Sequence, residues 1–184
     1  MVWLAVLAGA IYLLHRGAVM VDADKLPPEV RDLWRSATAK ARGLSNLPTD
    51  PVHLRRLAWL ATVEPRVLAV LRARWPQARR TSAYRAPSVN AAVDGSPSSL
   101  HAQGLALDFT DGGSTSDFRP WLDAVRDAVR AGVIPAPLEV IAESNPPHLH
   151  IGWRDPLEGA VSAPRYFSEI GDRSRGERRK LVVV

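Results

Sequence analysis

His101, Asp108 and His150 are the residues of this chain whose types and order could do chemistry together. The first two lie in Ser99-Leu100-His101-Ala102-Gln103-Gly104-Leu105-Ala106-Leu107-Asp108, and the third closes His148-Leu149-His150. Two imidazoles and one carboxylate are three protein ligands, the number that leaves a zinc ion a fourth position for water. A water held there becomes a nucleophile near neutral pH, so the set points to a hydrolase. Three of the chain's five histidines fall in these two short segments, which argues against scattered core or surface histidines. An iron oxygenase also uses two histidines and a carboxylate, but its usual close His-x-Asp pair is missing here, as is a barrel's worth of strands.

Rigid strands suit ligands of this kind. Leu105–Thr110 alternates, with Leu105 and Leu107 on one face and Ala106 and Asp108 on the other. Leu138–Ala142 and His148–Trp153 read as two more strands, joined by the turn-rich Ser144-Asn145-Pro146-Pro147. In the second of these, His148 and His150 share a face while Leu149 and Ile151 look into the core. If the strands pair, one sheet face carries Asp108, His148 and His150, and His101 arrives from the preceding loop. Arg79–Tyr84 predicts a short strand, and Pro87–Val93 one or two helical turns ended by Asp94-Gly95. Upstream, a helix is expected around Pro28–Arg42, stopped by Gly43. Asp50-Pro51 supplies an N-cap and a first-turn proline for the next helix, whose apolar face is Leu54, Leu57, Ala58, Leu60 and Ala61. Pro65 is expected to end it, because an interior proline removes a hydrogen bond, with a further helix over Pro65–Trp75. Ser116 caps a predicted helix over Asp117–Ala131, with Trp121, Leu122, Val125, Ala128 and Val129 as its buried stripe and Gly132 as its stop. Helices first, then short strands around one helix, give an α+β class with a small, mainly antiparallel sheet and flanking helices.

The chain has 184 residues, 46% of them hydrophobic, enough for one domain with a sizeable core. Its net charge of +5 suits an anionic partner such as a wall polymer or lipid. No nucleic-acid-binding motif accompanies the charge, so no nucleic acid partner is expected. The absence of cysteine excludes disulfides and thiolate ligands. Residues 2–14 are uncharged and apolar, and residues 17–21 are apolar again after His15 and Arg16. The uninterrupted run is shorter than the roughly 20 residues of a bilayer span. It has the length of a signal-peptide core, without a preceding Lys or Arg or a clear cleavage site. Residues 1–21 are therefore read as an export signal or weak membrane anchor, with a packed apolar helix as the alternative. Residues 22–50 form a helical lead-in, 51–160 the main domain and 161–184 a basic tail whose middle, Asp172–Lys180, reads as solvated.

The motifs carry a resemblance. Ser82-Ala83-Tyr84-Arg85-Ala86-Pro87-Ser88-Val89-Asn90, then Gly95 and Ser96, then Ser99-x-His101-x-x-Gly104-x-Ala106-x-Asp108, then His148-x-His150, resemble the zinc D-Ala-D-Ala carboxypeptidase family (the M15 peptidases), over about residues 54–153. The resemblance implies a Hedgehog/D-Ala-D-Ala peptidase-like fold and activity on peptidoglycan stem peptides, as carboxypeptidase or endopeptidase. It implies zinc as cofactor, with His101, Asp108 and His150 as ligands. It also implies a place at the cell envelope, in a host or a phage endolysin. Arg85 matches the family arginine that holds substrate, and a guanidinium suits a peptide carboxylate or a developing oxyanion. Tyr84 and Ser99 are further candidates for substrate contact, with holding or shaping the loop as the alternative. Trp121 and Trp153 are expected in the core.

One departure stands out. Many members place an acid three residues before the last zinc histidine, and here that position is Pro147. Glu143, at the end of the preceding strand, is the candidate general base, returned to the site by the proline-rich turn. His148 is the second candidate, as proton shuttle or oxyanion partner. The rival reading is a zinc-stabilised module that binds cell-wall peptide without turnover.

Overall fold

A computed structural model describes residues 26–113, 117–144, 146–156, 165–170 and 180–183. The expectations for residues 1–21 and 172–179 fall outside these, while the helix expected from Asp117 under a Ser116 cap begins instead at Arg119, with Phe118 at the cap position. Eleven elements follow in order among the described residues: α1 (Pro28–Asp32), α2 (Ala37–Arg42), α3 (Pro51–Arg72), β1 (Arg79–Ser82), α4 (Pro87–Ala91), β2 (Ala106–Thr110), α5 (Arg119–Arg130), β3 (Glu139–Ser144), β4 (Pro147–Gly152), β5 (Arg165–Ile170) and β6 (Lys180–Val183).

The strands form one sheet in the order β1-β2-β4-β3-β5-β6. Its first four strands are antiparallel throughout. β5 then adds to β3 in parallel, and β6 returns antiparallel to β5. The α+β class with a small, mainly antiparallel sheet is what the sequence led one to expect. The last two strands come from the stretch read as a basic tail. Its charged residues surround two short runs, Tyr166-Phe167 and Leu181-Val182-Val183, of types that favour strands.

Period-2 alternation sorts the sheet into two faces. Leu107 and Phe109 of β2, Leu149 and Ile151 of β4, and Val140 and Ala142 of β3 are buried in one core with Leu57, Leu60 and Val67 of α3 and Trp121, Leu122 and Val125 of α5. Trp121 and Trp153 are fully buried, as expected. The opposite face carries Asp108, His148 and His150.

Two further helix boundaries differ from expectation. The segment 28–42 is two short helices, because the Ser36 backbone is extended and its side chain accepts from Ala39 N, starting α2 afresh. Gly43, at φ +63°, ends it. α3, in contrast, runs straight through Pro65. A proline inside a helix costs about 3 kcal/mol. Val67 and Leu71 beyond it are fully buried on the same stripe as Leu57, Leu60 and Val63, and each such burial contributes about 1.5–3 kcal/mol. The continued stripe outweighs the missing hydrogen bond. Asp50 caps the helix as expected, accepting from Val52 N at 2.8 Å.

Candidate metal centre

The pairing of β2 with β4 sets Asp108 directly opposite His150. His101 enters from the turn before β2, which closes through Gly104 N to His101 O and needs the left-handed φ of +71° at Gly104. The three side chains meet on the polar face. Asp108 Oδ1 lies 2.9 Å from His101 Nε2 and 2.9 Å from His150 Nδ1, and the two nitrogens are 3.2 Å apart. All three residues are buried.

The outer atoms of each residue are also held. His101 Nδ1 donates to the carbonyl of Ala83, which leaves Nε2 as the lone pair facing the site. Asp108 Oδ2 accepts from Arg85 Nη2 at 2.5 Å, so only Oδ1 faces the histidines. Arg85 Nε in turn donates to Ser82 Oγ at 2.9 Å. Beyond His150, His148 Nε2 lies 3.7 Å from Asp108 Oδ1 and 3.7 Å from Glu143 Oε2, while its Nδ1 donates to Pro146 O. The β3–β4 hairpin places Glu143 across from His148.

Charge and burial oppose one another here. Burial alone would raise the Asp108 carboxyl, but the two imidazoles hold it well below the usual carboxylate range. Burial lowers His101. Burial would lower His150 too, yet its hydrogen bonds to Asp108 and Glu139 outweigh that and push it up to about 9. Two imidazole nitrogens and a carboxylate oxygen, within 4.8 Å of one another, are close enough to hold a metal ion. The nitrogen and oxygen donors and their number fit zinc.

These residues form the floor of an open cleft of about 870 Å³ that crosses the sheet face. Thr81 and Ser82 of β1, Thr38 of α2 and its cap residue Ser36 line one side, and Glu139, Ile141 and Glu143 of β3 the other. Of the sequence candidates, Arg85, Ser99, Glu143 and His148 all line it. Tyr84 does not: its side chain is buried, with the hydroxyl 3.4 Å from His53 Nδ1 of α3. Sequence reasoning missed Glu139, whose Oε1 lies 3.5 Å from His150 Nε2. Period 2 back from Glu143 through Ile141 was the signal available for it.

Sheet, flanking helices and a His-Asp-His group beneath a cleft define an α+β protein whose three grouped side chains lie close enough to hold a metal ion. A model of the peptidase M15 family matches residues 30–133, more than half of the chain. The chain belongs to that family, whose members are zinc-dependent peptidases. His150 lies beyond the matched residues, and its place in the group rests on the geometry. Searches of curated proteins and of solved structures found no match.

Proposed function

We propose that this protein is a zinc-dependent peptidase that hydrolyses peptidoglycan stem peptides. The observation that carries the reading is the metal-binding group at the floor of a cleft that also holds a carboxylate, an imidazole and a guanidinium. His101, Asp108 and His150 would hold the zinc, which when bound would supply a Lewis acid and a water that is nucleophilic near neutral pH. Glu143 is the base that takes a proton from the attacking water, and it stands in for the acid that Pro147 displaces. His148, between Glu143 and Asp108, steadies that carboxylate and passes the proton towards the leaving amine. Arg85 fixes the Asp108 carboxylate and offers its remaining N–H groups to the carbonyl oxygen as charge develops there.

The cleft continues to both sides of the metal-binding group, over β1 and over β3. That favours an internal amide, with substrate occupying both arms, over removal of a single terminal residue. Hydroxyls of Ser36, Thr38, Thr81, Ser96, Ser98 and Ser99 along the walls suit a polar peptide. The net charge of +5 favours an anionic wall, and residues 2–21 would deliver or tether the protein to the envelope. Among the described residues, no helix is long and apolar enough to cross a membrane.

The test is to incubate the full chain with peptidoglycan, with zinc and with chelator, and read the fragments by mass spectrometry. A metal-dependent cut inside the stem or cross-bridge is expected. Loss of one alanine would make it a carboxypeptidase. An intact substrate, with protein that carries one zinc, would favour the wall-binding module.

A further inference from the structure

We propose that Glu139 is a positioning residue for this centre: its carboxylate holds the Nε2–H of His150, so that Nδ1 of the same ring faces Asp108 and His101. The inference rests on the metal-centre reading above, and on no assumption about substrate.

An imidazole that gives one nitrogen to a metal must carry its proton on the other. A buried N–H needs an acceptor. His150 Nδ1 is the nitrogen turned to the site, 2.9 Å from Asp108 Oδ1, which sends Nε2 outward. The group it meets there is Glu139 Oε1, at 3.5 Å. His101 solves the same problem the other way round, with Nε2 inward and Nδ1 on the Ala83 carbonyl. One ligand ring is thus oriented by a neutral carbonyl and the other by a carboxylate, which also makes the ring a stronger donor.

The strand ladder supplies an independent sign that this contact is built in. Ile141 pairs with His150, Glu143 with His148 and Glu139 with Gly152. The two acids of β3 therefore stand on opposite sides of the His150 ring, one towards His148 and one towards Nε2. A Cβ on Gly152 would sit 3.3 Å from His150 Nε2 and 3.4 Å from Glu139 Cγ, and would collide with Leu100 Cδ1. Glycine at 152 leaves the room in which carboxylate and ring meet.

The test compares zinc affinity of the full chain, wild type against Glu139→Ala and Glu139→Gln, by competition with a chromogenic chelator, with thermal unfolding of each metal-free variant alongside. Loss of the second partner of a ligand histidine costs about 10- to 100-fold in affinity. That loss is expected for Glu139→Ala, with partial rescue by Glu139→Gln, whose amide oxygen still accepts. A wild-type dissociation constant, within twofold, in a folded Glu139→Ala protein would overturn the proposal. Should Glu139→Ala not fold, Glu139→Ser takes its place under the same criterion. A wild-type chain that binds no zinc would overturn the metal-centre reading itself, a result distinct from either.

Discussion

Asn46 holds the backbone on both sides of Arg85. Its Nδ2 donates to Tyr84 O at 3.0 Å and its Oδ1 accepts from Ala86 N at 2.7 Å, while Nδ2 also reaches Trp34 O at 2.7 Å. A residue of the lead-in thereby sets the segment that presents the cleft arginine and, two residues before that arginine, the carbonyl that orients His101. Replacing Asn46 by Ala leaves buried backbone groups unpaired, at about 1–3 kcal/mol each. Asn46→Ala is expected to lower unfolding free energy by about 3 kcal/mol and to weaken zinc binding. Urea titration and a chelator competition check the two effects separately.

Glu143 and His148 divide the proposed acid–base work. Glu143→Gln is expected to lower kcat about 10²- to 10⁴-fold, the usual range for a general base, while zinc stays bound. His148→Ala should cost less. Activity on wall fragments together with metal content decides this, and undiminished turnover in Glu143→Gln would remove Glu143 from the mechanism.

Zinc has to displace a proton. In the metal-free chain His150 is raised from 6.5 to about 9, so near pH 7 its ring is charged and competes with the ion. Zinc affinity is expected to climb from pH 7 to about 9 and then level, with proton release measurable by calorimetry in buffers of different ionisation enthalpy. The same shift has a stability consequence of fixed sign. The His150 pKa is higher folded than unfolded, so its stabilisation is complete below pH 6.5 and is lost as pH rises through about 9. The urea midpoint of chelator-treated protein should fall between pH 7 and 10.

Pro65 sits exposed inside α3. Pro65→Ala restores the missing N–H in the helix ladder and is expected to stabilise the protein by about 1–3 kcal/mol. Thermal unfolding checks it, and a lowered midpoint would mean that the helix is built around the proline.

The elements that declare themselves in the sequence are those where one periodicity rules. β4 alternates His148, Leu149, His150, Ile151, so its two faces, and the side on which both histidines stand, could be read directly. Asp50-Pro51 and Gly43 act locally, as cap and stop, and fall where expected. What escaped depends on partners distant in the chain. Pro65 is a helix breaker by local rule and was overruled by the burial of Val67 and Leu71 in the core. The strands at Arg165–Ile170 and Lys180–Val183 were hidden by surrounding charge, since the first finds its partner only at the open edge of β3 and the second only along the first. Glu139 opens a strand, and its relation to His150 exists only through the register of two strands. Tyr84 stands beside Arg85 in sequence but points to α3, because neighbours in an extended segment face opposite ways.

That Asp108 and His150 face each other across the β2–β4 ladder has one more implication. A slip of one residue would turn Asp108 towards Leu107's side of the sheet and separate it from His150. Only the native alignment brings all three ligands within reach of one ion. Metal uptake would then proofread assembly, rewarding correctly zipped strands and leaving misaligned chains unclamped.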